Sequence, residues 1–417
     1  MTATSRHMDL PRGFSDVDPI AMPALRQAEQ HWFAQSALSG FQPVQVPAVG
    51  FADTFVTGHN ASGDRIYRFP DRRGRELALV SDSLPALLRL AANRGLPEQR
   101  LSYKCPVFRY ERKPRRHFHH LGLMEITRAT TDPESQLCAL RRLIETIAAF
   151  LPPHLTAEFT ISNPGIWYEL VQQFVPPNMV SSYVDRLRRT PALERGALLR
   201  ADGAPDTVIA AADSLAGNRQ SGVVAQVPAS FHAQIDNAHQ LVEQLQRHQV
   251  SAVLDLNELH ASEFHDGLAF ILRHNAVVLG DGGSYGRFAS HFVDSPTSAY
   301  AAVVGLERIA DLTASLVETP PAADIAVLSF PDTESAEHAD HLAATLRSRG
   351  IAVWDCRLVM PLRRHLRDFA ELSIPLTVLI GPEETRSAMY RVRDRSGKVH
   401  TVPKERLPSW MLARTRK

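Results

Sequence analysis

The sequence has few cysteines and no long apolar run. Its 417 residues contain three cysteines, Cys105, Cys138 and Cys356, and this odd number at wide spacing excludes a disulfide framework and a zinc ribbon. No apolar run reaches the roughly 18 residues that a membrane-spanning helix needs. The opening residues also lack the apolar core of a signal peptide. We therefore expect a reduced, cytoplasmic protein with no membrane partner.

The chain also has almost no excess of charge of either sign. Lys and Arg together number 46 and Asp and Glu 45, a formal net charge of +1. This balance excludes a uniformly polybasic nucleic-acid-binding protein, but it allows a local basic patch, because binding depends on where the charge lies. A hydrophobic content of 44% is ordinary for a globular protein, and the length predicts two or three domains.

The first 160 residues mix short helix and strand patterns. Alternation of apolar and polar residues predicts strands over residues 41–49, 103–111 and 117–126, and a hairpin that joins residues 67–69 to 77–80 through the turn at 71–74. Apolar residues at helical spacing predict helices over residues 19–37, 84–92 and 133–150. A basic turn, residues 112–116, joins the second and third strands.

The middle of the chain changes from helical to extended patterns. Residues 165–245 are mostly helical and polar, with proline breaks, and are typical of an inserted module. Strands are predicted at 252–256, 268–272 and 276–279, followed by a glycine-rich turn at 280–283 and a helix over 305–316. We expect a first core part at residues 1–160, a helical insertion at 161–250 and a second core part at 251–318.

The last part of the chain follows a Pro-rich linker, residues 319–323. In this part, strand patterns of hydrophobic residues alternate regularly with helical patterns. Strands at 324–330, 351–354, 376–380 and 389–392 are separated by helical patterns, one of which places Ala339, Leu342, Ala343 and Leu346 on one face. Residues 324–417 are thus predicted to form a compact βαβαβ domain with a mixed sheet.

The strongest chemical signal is the hairpin around the basic turn. If both arms are strands, alternation places Arg109 and Glu111 on one face of the first arm, and Phe118, His120 and Met124 on one face of the second. A guanidinium opposite an aromatic ring suits a nucleotide, since the first binds phosphate and the second stacks on a base. A solvated charged surface is the alternative.

A second signal is Gly305-Leu-Glu-Arg308 at the start of a predicted helix. Free backbone N–H groups at a helix N-terminus attract an anion, and Arg308 adds a fixed positive charge. Taken alone, this pattern is equally typical of a surface arginine.

Together these elements resemble a class II aminoacyl-tRNA synthetase, most closely a histidyl-tRNA synthetase, from Leu10 to Pro403. The stretches that carry the resemblance are Ile66-Tyr-Arg-Phe-Pro-Asp71, Leu77-Ala-Leu79, Phe108-Arg-Tyr-Glu-Arg112, Gly305-Leu-Glu-Arg308 and Gly381-Pro-Glu-Glu384. The resemblance implies an α+β fold: an antiparallel sheet of about six or seven strands with a helical insertion, plus a C-terminal α/β domain that resembles an anticodon-binding domain.

The resemblance also implies a nucleotide site and partners. ATP would bind with Mg²⁺, its α-phosphate on Arg109, its adenine stacked on Phe118 near Glu111, and its γ-phosphate on Arg308. Arg109 and Arg308 would be the catalytic residues. A homodimer would form through the strand that bears Pro47, and the C-terminal domain would bind tRNA. The metal ligands stay unknown.

On the amino-acid side the sequence departs from the histidyl pattern. Asp82 stands where the family holds the substrate's amino group, so it can keep that role, but Leu84 replaces a hydroxyl residue. His120 replaces a Gln, and Met124 replaces a Glu. Tyr285 is the one bulky residue kept from the family's Gly-Gly-Gly-Arg-Tyr-Asp element, which here reads Asp281-Gly-Gly-Ser-Tyr-Gly286.

The largest departure is at His260. The family's Leu-Val-Arg-Gly-Leu-Asp-Tyr-Tyr stretch reads Glu258-Leu-His-Ala-Ser-Glu-Phe-His265, so an imidazole replaces the arginine that contacts the α-phosphate and the substrate carboxylate. An uncharged imidazole cannot do this at pH 7. We do not expect His265 and Asp266 to form an acid–base pair, since neighbouring residues of a strand point to opposite faces.

Three functions remain open. The first is a ligase that activates an amino acid or a related carboxylate, other than histidine, for transfer to tRNA or another acceptor. The second is the synthetase-like regulatory subunit of ATP phosphoribosyltransferase. The third is an RNA-binding or sensor protein that uses the C-terminal clusters of Arg and Lys, which extend to Arg416 and Lys417. The histidines at 117, 119 and 120 fit a solvated surface better than a metal site.

Overall fold

The computed structural model describes residues 9–56, 65–96, 98–111, 115–128, 132–217, 227–260, 265–293 and 297–415. Contacts divide the chain into two compact units, Met1–Val317 and Glu318–Lys417, and each is described by itself. Within the described ranges, no helix combines the length and apolarity needed to cross a bilayer.

The first unit is built on a large, mainly antiparallel sheet. Eight strands are seen in the described residues: β1 (Gln42–Val44), β5 (Gln99–Phe108), β6 (His117–Arg128), β7 (Ala157–Ser162), β8 (Ala252–Leu254), β9 (Ala269–His274), β10 (Val277–Ser284) and β11 (Thr297–Gly305). Their order is β1-β5-β6-β11-β10-β9-β7-β8. The two outer pairs, β1 with β5 and β7 with β8, are parallel, and the rest are antiparallel. The α+β fold is confirmed, with one short parallel strand at each edge of the sheet.

A second, small sheet has the order β2-β4-β3, with β2 (Val49–Phe51), β3 (Arg68–Pro70) and β4 (Glu76–Leu79). The hairpin prediction is confirmed, because the Asp71 carboxylate accepts hydrogen bonds from the backbone N–H groups of Arg73 and Arg75, and Gly74 has φ 76°. The single strand predicted at 41–49 is wrong: β1 and β2 belong to different sheets. Pro47 stands between them, and proline has no N–H for a ladder bond.

Helices cover both faces of the large sheet. On one face lie α1 (Met22–Leu38) and α4 (Pro133–Phe150), with Trp32 and Phe150 in edge-to-face contact. On the other lie α2 (Ala52–Val56) and α3 (Ser83–Arg94), which begins at an Asp82 cap. Each face of the sheet has its own hydrophobic core. Along β6, Leu121 and Leu123 pack into the core on the α1 and α4 face, and Met124 packs into the core on the α2 and α3 face.

The insertion is helical as predicted. It comprises α5 (Pro164–Gln172), α6 (Val180–Arg189), α7 (Arg195–Ala201), α8 (Asp206–Gly217) and α9 (His232–Arg247). Buried Arg195 ties it to the core, donating to the carbonyl oxygens of Leu187 and Asn257. The insertion packs on the α1 and α4 face, so it leaves the other face of the sheet uncovered by its helices.

The glycine-rich turn predicted at 280–283 is wrong, because β10 continues through it. Gly280, Gly282 and Gly283 are close to neighbouring strands, and a Cβ atom on Gly280 would lie 2.1 Å from the carbonyl oxygen of Val303. These glycines therefore permit close strand packing rather than a change of direction. A short helix, α10 (Gly286–Ala289), lies between β10 and β11. After β11 the chain forms α11 (Leu306–Thr313).

The second unit is a mixed five-stranded sheet, as predicted. Its order is β13-β12-β14-β15-β16, with β12 (Ile325–Ser329), β13 (Val353–Arg357), β14 (Leu376–Ile380), β15 (Met389–Asp394) and β16 (Val399–Pro403). The first three are parallel. The helices are α12 (Thr333–Ser348), α13 (Leu362–Glu371), α14 (Pro382–Arg386) and α15 (Leu407–Thr415). β16, α14 and α15 were not predicted, and Leu407 and Met411 of α15 complete the core.

Candidate functional site

Arg109 and Phe118 come together at the end of the β5–β6 hairpin. The Arg109 guanidinium carbon lies 5.6 Å from the centroid of the Phe118 ring. Its Nε donates to the carbonyl oxygen of Ser81 at 2.8 Å, and an Nη donates to the Asp82 carboxylate at 3.0 Å. Because Asp82 also caps α3, the guanidinium is held at a fixed point of the fold.

Glu111 does not share a strand face with Arg109, because β5 ends at Phe108. The expected alternation is therefore wrong for these two residues. The carboxylate of Glu111 lies 3.5 Å from an Nη of Arg65, and its backbone carbonyl accepts from Arg116. Residues 112–114 of the basic turn lie outside the described residues.

Arg308 lies in the first turn of α11, as the sequence predicted, and donates to the carbonyl oxygen of Val278 in β10. Burial lowers the pKa of its guanidinium; the Asp281 carboxylate opposes this, and the positive charge of Arg109 adds to it. The charges of Arg109 and Arg308 therefore act on one another and on His120, and we call the region around these three residues the cleft.

Glu307, which was not singled out from the sequence, connects α11 to β6. Its carboxylate accepts one hydrogen bond from the backbone N–H of His119 at 2.9 Å and lies 2.7 Å from Nδ1 of the same residue. Burial would raise the pKa of Glu307, but these bonds outweigh it and hold the pKa below its usual value. The signal was present in the sequence, since Glu307 is part of the Gly-Leu-Glu-Arg motif.

His120 faces the second half of the cleft in a network with two hydroxyl groups. Its Nδ1 lies 3.2 Å from Oγ of Ser83, which lies 3.1 Å from the hydroxyl of Tyr103. Burial, with the charge of Arg109 adding to it, lowers the pKa of His120 to about 4. His120 is therefore uncharged at neutral pH. Ser83 and Tyr103 are far apart in the sequence, so no local pattern could predict this contact.

Met124 lies on the same sheet face as His120, as predicted, and is buried in the core that also contains Tyr103 and Tyr285. Its neighbour Glu125 points to the opposite face, where its carboxylate oxygens lie 2.6 Å from an Nη of Arg142. The cleft therefore has an apolar thioether where a carboxylate would stand in the histidyl pattern.

His260 and Asp281 form a pair on the cleft face of the sheet. Nε2 of His260 lies 3.3 Å from a carboxylate oxygen of Asp281 in β10. Burial would raise the pKa of Asp281, but the hydrogen bond from His260 and the nearby imidazoles outweigh it, so that its pKa is lowered. Asp281 was not predicted to be a site residue, because residues 280–283 have the composition of a turn.

His265 and Asp266 precede β9 rather than lie in it, so the strand alternation that was used to discount an acid–base pair does not apply to them. The buried His265 ring has its centroid 4.6 Å from that of Tyr285. Asp266 accepts from Oγ of Ser284 and from the backbone N–H of Arg287. Residues 261–264 lie outside the described residues, as do Arg416 and Lys417.

The three histidines of β6 differ in environment, which corrects their description as a solvated surface. The His117 ring stacks on Phe108 with centroids 4.7 Å apart, His119 bonds to Glu307, and His120 is buried. Within the described ranges, no group of three or more His, Cys, Asp or Glu side chains is arranged to hold a metal ion.

Two parts of the chain match known protein families. Residues 13–309 match the profile of the histidyl-tRNA synthetase family, and residues 323–414 match that of the anticodon binding domain. The ATP phosphoribosyltransferase regulatory subunit of Moorella thermoacetica is 36% identical over 154 residues, which cover 35% of this chain and 39% of that protein. The histidine–tRNA ligase of Archaeoglobus fulgidus is 23% identical over 402 residues, 93% of this chain and 95% of that protein.

A solved structure agrees on the fold. The histidyl-tRNA synthetase of Nostoc sp. PCC 7120 superposes with a TM-score of 0.74 at 16% identity, covering 97% of this chain and 99% of that one. The large sheet and its cleft thus form a class II synthetase domain, and an anticodon-binding domain follows it. The chain belongs to the histidyl-tRNA synthetase family, whose relatives carry two different names, ligase and regulatory subunit.

Proposed function

We propose that the protein binds ATP and activates an amino acid, or a related carboxylate, as an acyl-adenylate for transfer to tRNA or another acceptor. The observation that carries this is the cluster of Arg109, Phe118 and Arg308: a guanidinium beside an aromatic ring, with a second guanidinium acting on the same cleft. Such a cluster suits the phosphates and base of a nucleotide.

The assigned roles follow from the charge that develops when a carboxylate attacks the α-phosphate. Arg109 would stabilise that charge, and Arg308 would hold the γ-phosphate end, so that attack and departure are in line. Phe118 would stack on adenine, and Glu111 would accept from its amino group. No protein nucleophile is needed. Mg²⁺ commonly binds through substrate phosphates with only one or two carboxylates, so it would enter the site with ATP.

The amino-acid half of the same site would use the residues that remain there. Asp82 would bind an amino group, while His120, Met124 and Tyr285 would line the pocket beside His260. The C-terminal domain supports tRNA as the acceptor, since it matches the anticodon binding domain. We also propose a homodimer that forms through the segment bearing Pro47, working in the cytoplasm.

A second candidate is a regulatory subunit of ATP phosphoribosyltransferase, without catalysis of its own. The observation in its favour is His260, which stands in place of the family's arginine and is paired with Asp281 instead of being a free positive charge. The similarity to the Moorella regulatory subunit supports the same interpretation. The partner would then be the catalytic chain of that transferase.

Amino-acid-dependent ATP–pyrophosphate exchange tests the proposal. The full-length protein is assayed with each proteinogenic amino acid, without amino acid, and as the variant Arg109→Ala. Arg68→Ala is the matched control, since Arg68 pairs with Glu76 on the small sheet. We expect exchange with one amino acid or one chemical class, its loss in Arg109→Ala, and full exchange in Arg68→Ala.

Failure of exchange with every amino acid, although ATP binds, would contradict amino-acid activation. The second candidate is then tested by mixing the protein with a catalytic ATP phosphoribosyltransferase chain. A stable complex with altered transferase activity would support a regulatory subunit. If no complex forms, this second candidate is contradicted.

A further inference from the structure

Two departures from the family pattern contact each other in the cleft. His260 stands in place of an arginine, and Asp281 stands at the first Gly of the Gly-Gly-Gly-Arg-Tyr-Asp element. Their side chains are 3.3 Å apart. An arginine contributes one positive charge, whereas this pair contributes none when the imidazole is protonated and one negative charge when it is neutral. A position suited to an anion has therefore become neutral or negative.

The groups that stabilise the negative charge of Asp281 are imidazoles, each of which carries a positive charge only when it is protonated. The imidazoles of His260, His265 and His120 act on its carboxylate, and Asp281 forms its ion pair with an imidazole. Arg308 feels the charge of Asp281, but its guanidinium bonds to a backbone carbonyl of β10.

Among the described residues, the rest of the pocket supplies hydrogen-bonding groups and a second carboxylate. Its two arginines, Arg109 and Arg308, are bonded to oxygen atoms of the protein. Ser83 and Tyr103 provide hydroxyl groups, and His120 is neutral at pH 7. The charges of Asp82 and Asp281 both act on the hydroxyl group of Tyr103. Asp82 is paired with a permanent cation, Arg109, whereas Asp281 is paired with an imidazole, whose place a ligand's cation can take.

We propose that Asp281, with His260, determines specificity, and that this pocket takes an amino acid whose side chain ends in an ammonium or guanidinium group. The ligand's cation would replace the His260 hydrogen bond at Asp281, and its α-amino group would bind at Asp82. This inference rests on the proposed function, because it names the substrate class of the same site. A permanent cation satisfies the carboxylate more strongly than a neutral imidazole does.

Direct binding, separate from catalysis, tests the inference. Isothermal titration of the full-length protein is carried out with L-lysine, L-ornithine, L-arginine, L-leucine, L-glutamate and L-histidine, with and without ATP. The key variant is Asp281→Asn. Glu145→Gln is the matched control, because Glu145 also pairs with a histidine, His248, at 2.8 Å but lies in α4 on the opposite face of the sheet.

We expect the cationic amino acids to bind in preference to the others. Asp281→Asn should raise the Kd of the preferred one at least about tenfold, the usual worth of a hydrogen bond to a charged group. The Kd of ATP should stay within about twofold, and Glu145→Gln should resemble the wild type. His260→Arg is a second variant: it puts a fixed cation beside Asp281 and should also weaken binding about tenfold, even if Asp281→Asn does not fold.

The inference is overturned if no cationic amino acid binds, if a neutral or acidic one is preferred, or if a folded Asp281→Asn binds like the wild type. Its failure is distinguishable from that of the proposed function. If a neutral amino acid supports ATP–pyrophosphate exchange, the proposed activation of an amino acid is supported and the proposed cation-binding pocket is contradicted. If a cationic amino acid binds in a way that depends on Asp281 but supports no exchange, the cation-binding pocket is supported and amino-acid activation is contradicted.

Discussion

The two halves of the cleft have changed to different extents. On the proposed nucleotide half, Arg109, Phe118 and Arg308 are the residues that the family resemblance predicts, and the structure places the first two in contact. On the amino-acid half, Met124 and His260 replace charged residues, although the backbone that carries them is the same sheet. Under the proposed function, phosphate binding and the choice of carboxylate depend on separate side chains, so one can change while the other is kept.

The two halves are nevertheless joined by one strand. β6 carries Phe118 on the nucleotide side and His120, two residues further, on the other. Because alternate residues share a face, any shift of β6 would affect both halves. Variants that disturb only one half are therefore the sharpest way to break the comparison.

The largest effect is expected from Arg109→Ala, which removes a guanidinium from the nucleotide half. Loss of one preorganised charge contact costs about 10²–10³ in rate, so exchange should fall by that factor. Asp82 also loses its partner, and amino-acid binding should weaken less than exchange does. Steady-state kinetics measure the rate of exchange, and calorimetric titration measures the affinity for the amino acid. A fall of less than about threefold would remove Arg109 from the reaction.

A smaller effect is expected from Glu307→Ala, which leaves Arg308 in place but frees α11 from β6. Two donors of His119 lose their acceptor, and the first turn of α11 loses its anchor. We expect the KM for ATP to rise about tenfold or more, with kcat less affected, since a misplaced Arg308 still carries its charge.

Glu307→Gln is the matched control for this effect. Its amide oxygen can still accept from the His119 backbone, so it should recover much of the ATP affinity. If both variants lower kcat alone, Glu307 does not position the nucleotide half.

The next variant, Gly122→Ala, disturbs the amino-acid half. A Cβ atom at Gly122 would lie 2.1 Å from Cζ of the buried Tyr103, which must move away from Ser83. Overpacking of this kind costs about 1–3 kcal/mol of stability. We expect a lower melting temperature and weaker amino-acid binding, with ATP binding within about twofold.

Gly267→Ala provides the comparison, because a Cβ atom there meets Cβ of Ser284 at an ordinary 3.5 Å. Equal losses of ATP and amino-acid affinity in Gly122→Ala would contradict the separation of the two halves.

The smallest effect concerns pH and His120. Its pKa of about 4 in the folded protein lies below that of an exposed histidine, near 6.5, so the unfolded chain takes up a proton first as the pH falls. The stabilisation is fully present above pH 6.5 and is lost as the pH falls towards 4. His120→Gln cannot titrate, so between pH 7 and 5 it should lose about 1–2 kcal/mol less stability than the wild type. Urea unfolding at pH 7, 6 and 5 measures this difference, and identical pH profiles would contradict a buried neutral imidazole.

Much of the fold could be predicted from local pattern. The helical insertion, the hairpin at Asp71 to Gly74 and the mixed C-terminal sheet each depend on periodicity and turn residues that the sequence displays. The shared face of His120 and Met124 was predictable for the same reason, since β6 is long and regular.

The rest depended on contacts between distant residues. Glycines at 280–283 have the composition of a turn, but neighbouring strands use the absence of side chains for close packing, and this concealed Asp281. The end of β5 at Phe108, which separates Glu111 from Arg109, is likewise set by tertiary structure rather than by propensity.

Histidine itself provides the most direct test of the difference between the two halves. On one preparation, ATP binding is measured by titration, and exchange is then measured with histidine and with lysine, ornithine and arginine at equal concentrations. The account predicts that ATP binds, that histidine supports little or no exchange, and that a cationic amino acid supports it. ATP binding together with efficient histidine-dependent exchange would contradict the central claim, because the amino-acid half would then retain the family's specificity despite His260, Asp281 and Met124.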